Sequence, residues 1–229
     1  MSISISKLEL WLRGIEGKVI ALPVWRNNTF EYADLSAKHV AFLKAVRAVS
    51  SLHSLPILYG KGLFIDAGTI VRCIMDCLNE IYFLLEKYPD TTPQAKKFIQ
   101  HFKSTTLDFD QPPPPAVPSK KIHNAQVRIL EKDAKISFEN IQSMIRKTYE
   151  TFSGYVHSNY PHVMEIYGGQ DHDKKFHTAG VPSHSRKAKY NELILEIHKM
   201  TRNTLGFIAY RLDIKEILHE IIQSCEQDA

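Results

Sequence analysis

The chain has 229 residues, 44% of them hydrophobic and 24% charged, which is the composition of a globular protein with a real core. Its 29 basic residues exceed its 25 acidic ones by four, an excess too weak to argue for nucleic acid although it permits RNA or an anionic small molecule. No apolar run approaches the ~20 residues that cross a bilayer, and the start MSISISKLELWLRGIEGK lacks a secretory signal's basic start and apolar block, so a cytoplasmic protein without a membrane partner is expected.

Residues 1–33 are mixed. SISISKLELWLRG alternates weakly and VIALPVW is broken by Pro23, which suggests an irregular or short-β N-terminal arm, with a helix an equal alternative. Helical periodicity starts after Ser36, a natural N-cap, with Val40, Phe42, Leu43, Val46, Val49 and Leu52 recurring until Pro56 and Gly60–Gly62 end the element. From Ile70 to Tyr88 the next helix, opened by Asp66, is apolar nearly all round and therefore deeply buried. A short helix through Phe98 and Phe102 follows Pro93. The prolines of 111–118 then form an extended spacer.

The stretch from about Ser119 to His157 is the longest helical candidate, with Leu130, Ala134, Phe138, Ile141, Ile145, Phe152 and Val156 on one face. Residues 167–186 are rich in Gly, His and turn formers and suggest a loop with a small hairpin around Phe176. A last helix runs from about Lys187 to Ser224, its inner side carrying Leu193, Ile197, Met200, Leu205, Ile208, Leu212, Leu218 and Ile222. The expected fold is all-α, a bundle of four to six helices forming one domain over 1–229. Three cysteines, two of them four apart on an apolar helix, point to reduced core thiols and not to a disulfide framework.

Two polar stripes stand out on these apolar helices. Arg72, Asp76 and Glu80 are spaced by four, with Asn79 on the same stripe; Tyr149, Ser153 and His157 repeat that spacing later. Each stripe has a plain structural explanation, a solvated face or an interhelical hydrogen-bond network. If the faces meet, they form a polar site in which Arg72 binds an anion and Glu80 orients it or a histidine. Tyr149 and His157 would donate hydrogen bonds, His157 acting as general acid or base, while Ser153 inside a helix lacks the sharp turn that exposes a nucleophile. Asp76 and Asn79 complete the ligand-binding set.

His157, His162, His172, His177 and His184, with Asp171 and Asp173, match no helical metal motif, so no metal and no cofactor are expected. Gly60-Lys61-Gly62 lacks the spacing and the Lys-Ser/Thr pair of a phosphate loop.

The Arg-containing helix VRCIMDCLNEIYFL, the helix ending in YETFSGYVHSNY, the glycine-rich turn and the segment KFHTAG before a final long helix resemble a bacterial all-helical family, a domain of unknown function. The likeness spans about Val40 to Tyr210. More distantly the chain is similar to the HEPN superfamily. That resemblance implies a helical bundle, a homodimer and a place in phage defence or stress response. Many members are metal-independent ribonucleases with an Arg, four to six residues and a His on a late helix. Here that spacing occurs only early, from Arg47 to His53, where nine arginines and eleven histidines supply about one match by chance; late in the chain ten residues separate Arg146 from His157. The expectation is therefore an interaction or ligand-sensing module. The alternatives are a ribonuclease using His157 and a metal-dependent hydrolase using the histidine-rich loop.

Overall fold

The greasiest stretch of the chain becomes its axle. In the computed structural model, which describes residues 4–19, 23–26, 29–32, 35–104, 115–134, 138–168 and 174–227, helix α4 (Phe64–Leu85) buries residues on every side, from Phe64 and Val71 through Ile74 and Leu78 to Leu84 and Leu85. Each such side chain contributes roughly 1.5–3 kcal/mol relative to exposure. Packed around α4 are α2 (Ala37–Leu52), α3 (Ser54–Lys61), α6 (Ser119–Ala134), α7 (Phe138–Val156) and α9 (His184–Arg211). One hydrophobic core runs through all of these and takes in α1 (Ile5–Val19), α5 (Pro93–Ser104) and α10 (Lys215–Glu226). The protein is mostly helical, as its periodicity implied.

The N-terminal segment begins with the helical alternative and not with an irregular or short-β arm. It opens with helix α1, whose buried residues Leu8, Trp11, Ile15 and Val19 step by three, four and four along one face. The alternation of Leu8, Leu10 and Leu12 suggests a strand, but Leu10 is exposed and the helical stripe is what packs. Trp11 Nε1 donates to Glu220 Oε2 of α10 at 2.9 Å, tying the two ends of the chain together. A two-stranded antiparallel ribbon follows α1, β1 (Val24–Arg26) against β2 (Thr29–Glu31).

Ten α-helical segments are present among the described residues, where four to six are expected. Pro56 does not end a helix: it sits in the first turn of α3, where its missing N–H has no partner to lose. The last helix is two, because the chain turns at 212–214 with Asp213 at positive φ and α10 packs back on α9. A Cβ on Gly206 would lie 3.1 Å from Ile221, which marks the close approach of that pair. Reversing α10 also turns Ile222 outward, against expectation. Val46 and Val156, both placed on inner faces by periodicity, are exposed as well.

Three helices carry N-terminal caps, of which the sequence marks Ser36. Ser36 precedes α2 and its backbone N–H donates to His39 Nδ1 at 3.2 Å. Thr92 Oγ1 accepts from Ala95 N at 3.1 Å before α5, and Ser183 Oγ accepts from Arg186 N at 3.3 Å before α9. Gly62 ends α3 at φ +75, and Val181 N–H donates to its carbonyl at 2.9 Å; a Cβ there would sit 2.2 Å from Val181 O. Between α7 and α9 lie α8 (Tyr160–Val163), a 3-10 turn (Met164–Ile166) and a single antiparallel bridge joining Tyr167 to Phe176, where a small hairpin is expected. Of the proline spacer, residues 111–114 lie outside the described residues and 115–118 are non-helical.

Candidate functional site

Arg72 projects from the middle of α4 toward α7 and is only 8% exposed. A guanidinium in such a place must have its charge and its N–H groups accommodated. Its Nε donates to Asp76 Oδ2 at 2.9 Å, one turn along the same helix. Its Nη1 donates to the backbone carbonyl of Tyr149 on α7 at 3.2 Å, and the guanidinium carbon lies 3.4 Å from the centre of the Tyr149 ring. The ring face attracts the cation and its flat surface matches the flat guanidinium.

His123 of α6 closes the group, its ring edge-on to Tyr149 at 4.6 Å between centroids. Burial holds its pKa below the ordinary imidazole value; Asp76 opposes that shift and Arg72 reinforces it. His123 is therefore neutral at pH 7. The group joins α4, α6 and α7, and it reaches solvent at Asp76, whose side chain is 42% exposed. Asp76 offsets the charge of Arg72, so the cluster presents no surplus positive charge to a phosphate.

The two polar stripes thus meet at Arg72, Asp76 and Tyr149, and diverge elsewhere. Glu80 turns away to α2, where its carboxylate pairs with Lys44 Nζ at 2.6 Å. Lys44 also lies over Phe98 and Phe102 of α5, at 5.7 and 4.9 Å from the ring centres. Burial raises the Glu80 pKa against the opposing pull of Lys44. Asn79 is buried within the core and Ser153 is half-buried one turn after Tyr149. His157 is exposed, just past the end of α7, and eight residues of rise put it about 12 Å along the axis from Tyr149. The described contacts do not bring it to Arg72. Nor do they join the other Arg–His spacings: His53 Nε2 meets Glu9 Oε1 at 2.9 Å, and Arg146 pairs with Glu150 at 2.7 Å.

His123 carries no sequence signal, because it becomes a neighbour of Arg72 only when α6 packs on α4. A second polar group is equally silent. Glu165, in the 3-10 turn, accepts from Tyr155 Oη at 2.7 Å on one oxygen and from Tyr190 Oη at 2.6 Å on the other. Arg186 donates to the Glu165 carbonyl. Tyr190 stacks between Tyr59 and Phe64, 4.7 Å from each. Burial raises all three tyrosines: Tyr155 to about 12, its contact with the Tyr190 hydroxyl opposing the shift, and Tyr59 and Tyr190 further. The phenols stay protonated, and those of Tyr155 and Tyr190 act as donors to Glu165. Gly68 makes room for this group, since a Cβ on it would meet the Tyr155 ring at 2.4 Å.

Among the described residues no three His, Cys, Asp or Glu side chains gather as a metal site, and Asp171, His172 and Asp173 lie outside those residues. No helix among the described residues is long and apolar enough to cross a membrane. No protein-family model, curated protein or solved structure matches the chain.

Proposed function

We propose that this protein is a helical interaction or ligand-sensing module with an HEPN-like arrangement, in which the Arg72 cluster locks three helices together and does not cleave RNA. One observation carries the reading: the guanidinium is already bound to Asp76 and to the Tyr149 carbonyl and ring. An arginine that stabilises a phosphoryl transition state needs donors aimed at the substrate and a proton-transfer group beside it. The exposed position of His157 speaks against its partnership with Arg72. The HEPN-like part of the reading calls for a helical bundle, and the fold is mostly helical. Free thiols at Cys73, Cys77 and Cys225 support a reducing, cytoplasmic setting. A second copy of the chain belongs to the proposal as partner, and sedimentation at a monomer's mass at all concentrations would remove it.

The ribonuclease alternative has one observation in its favour, and it concerns a different histidine. Neutral His123 lies within electrostatic reach of both Arg72 and Asp76. Single-turnover incubation of labelled RNA with wild type, His157→Ala and His123→Ala separates the readings. Equal background cleavage by all three is expected. Cleavage lost in either variant, with the fold retained, would overturn the module reading.

A further inference from the structure

The cleft where α4 ends and α5 and α6 begin has a volume of about 450 Å³, within the ~300–1,000 Å³ range of small-molecule sites. Glu86, Lys87, Thr92, Gln94, Lys121 and Arg128 are among its lining residues. The negative features of this cleft are already matched. The Glu86 carboxylate takes both Nε and Nη2 of Arg128, at 2.6 and 2.9 Å, and its backbone carbonyl at the end of α4 accepts from Arg211 Nη2 at 2.8 Å. Two cations are left over. Lys87 and Lys121 line the same cleft, are exposed, and have no ion-pair partner among the described residues. Thr92 and Gln94 stand at the start of the twelve-residue α5, so the positive end of that helix dipole adjoins this space, while Lys121, Asn124 and Arg128 line it along the flank of α6.

We infer that this cleft binds a small phosphate-bearing ligand. The uncompensated lysines supply charge, the Arg128–Glu86 fork holds one wall rigid, and Thr92, Gln94 and Asn124 offer hydrogen bonds to phosphate oxygens. The wall formed by α6 also carries His123, so an occupant of the cleft bears on the helix that the Arg72 cluster holds. The inference rests on the ligand-sensing reading for its purpose, and it fails separately: absence of binding removes the cleft, whereas RNA cleavage removes the module.

Titration calorimetry of the full chain with inorganic pyrophosphate tests it, alongside a short single-stranded RNA. Saturable pyrophosphate binding is expected. The double variant Lys87→Gln/Lys121→Gln should bind about tenfold or more weakly, the effect of two exposed charges. Lys199→Gln, a lysine paired with Glu196 at 2.9 Å outside the cleft, should bind as wild type. Unchanged circular dichroism shows that the variants fold. No heat with pyrophosphate at about 5 mM overturns the inference. So does binding that the double variant leaves intact, or RNA binding without pyrophosphate binding.

Discussion

Replacing Arg72 with methionine keeps the apolar stem and the helix propensity and removes only the guanidinium. The hydrogen bond to the Tyr149 carbonyl, made by a charged donor in a buried place, is worth ~1.5–3 kcal/mol. The contact with the Tyr149 ring at 3.4 Å adds ~0.5–2 kcal/mol. The Asp76 pair adds at most ~1 kcal/mol, because that carboxylate is 42% exposed and water replaces the arginine. Arg72→Met should therefore cost about 3 kcal/mol, and Asp76→Asn under about 1 kcal/mol. Urea unfolding followed by far-ultraviolet circular dichroism reads both, with an unchanged slope against denaturant showing that the unfolded state is unaltered. A double-mutant cycle with Tyr149→Leu should return a coupling of ~0.5–2 kcal/mol. A loss below about 1 kcal/mol for Arg72→Met, or strict additivity with Tyr149→Leu, would refute the argument that this arginine holds α4 to α7.

Three further expectations follow from buried polar groups. Tyr59 Oη is buried without a hydrogen-bond partner among the described residues, so Tyr59→Phe should be neutral or stabilising by up to ~1 kcal/mol, whereas Tyr190→Phe should lose ~1.5–3 kcal/mol with its bond to Glu165; thermal and urea unfolding of the pair check this, and equal losses would contradict it. Because burial lowers the His123 pKa, the unfolded chain takes up that proton first. Its contribution to stability is thus complete above pH 6.5, the ordinary imidazole value, and lost as the pH falls below it. His123→Gln should flatten the slope of stability against pH between about 7 and 5, and parallel slopes for the two proteins would show that His123 is not the titrating group. Cys77 is buried and its thiol is pushed up to about 12 by that burial, against the opposing charge of Lys44; native protein should be alkylated by iodoacetamide at Cys73 and Cys225 and spared at Cys77, as peptide mass spectrometry would report.

Much of the helical architecture is written locally. Ser36 marks a helix start because its capping interaction forms within three residues of chain. The depth of α4 is legible because a helix with apolar residues on every side has nowhere to go but the centre. The face of α1 is harder, since Leu8, Leu10 and Leu12 fit a strand as well as Leu8, Trp11 and Ile15 fit a helix; only packing against the core distinguishes the two.

Spacing within a helix determined that Arg72 and Asp76 would pair, a contact one turn long. Which partner Arg72 finds across the core was a matter of tertiary structure. Tyr149, 77 residues away, reaches it because α7 crosses α4 there, while Glu80, two turns from Arg72, faces α2 and goes to Lys44. His123 and the Tyr155–Glu165–Tyr190 group belong to the same class. Their members sit on separate elements and become neighbours only through helix packing, which depends on all the contacting faces at once and leaves no mark on any one stretch of sequence.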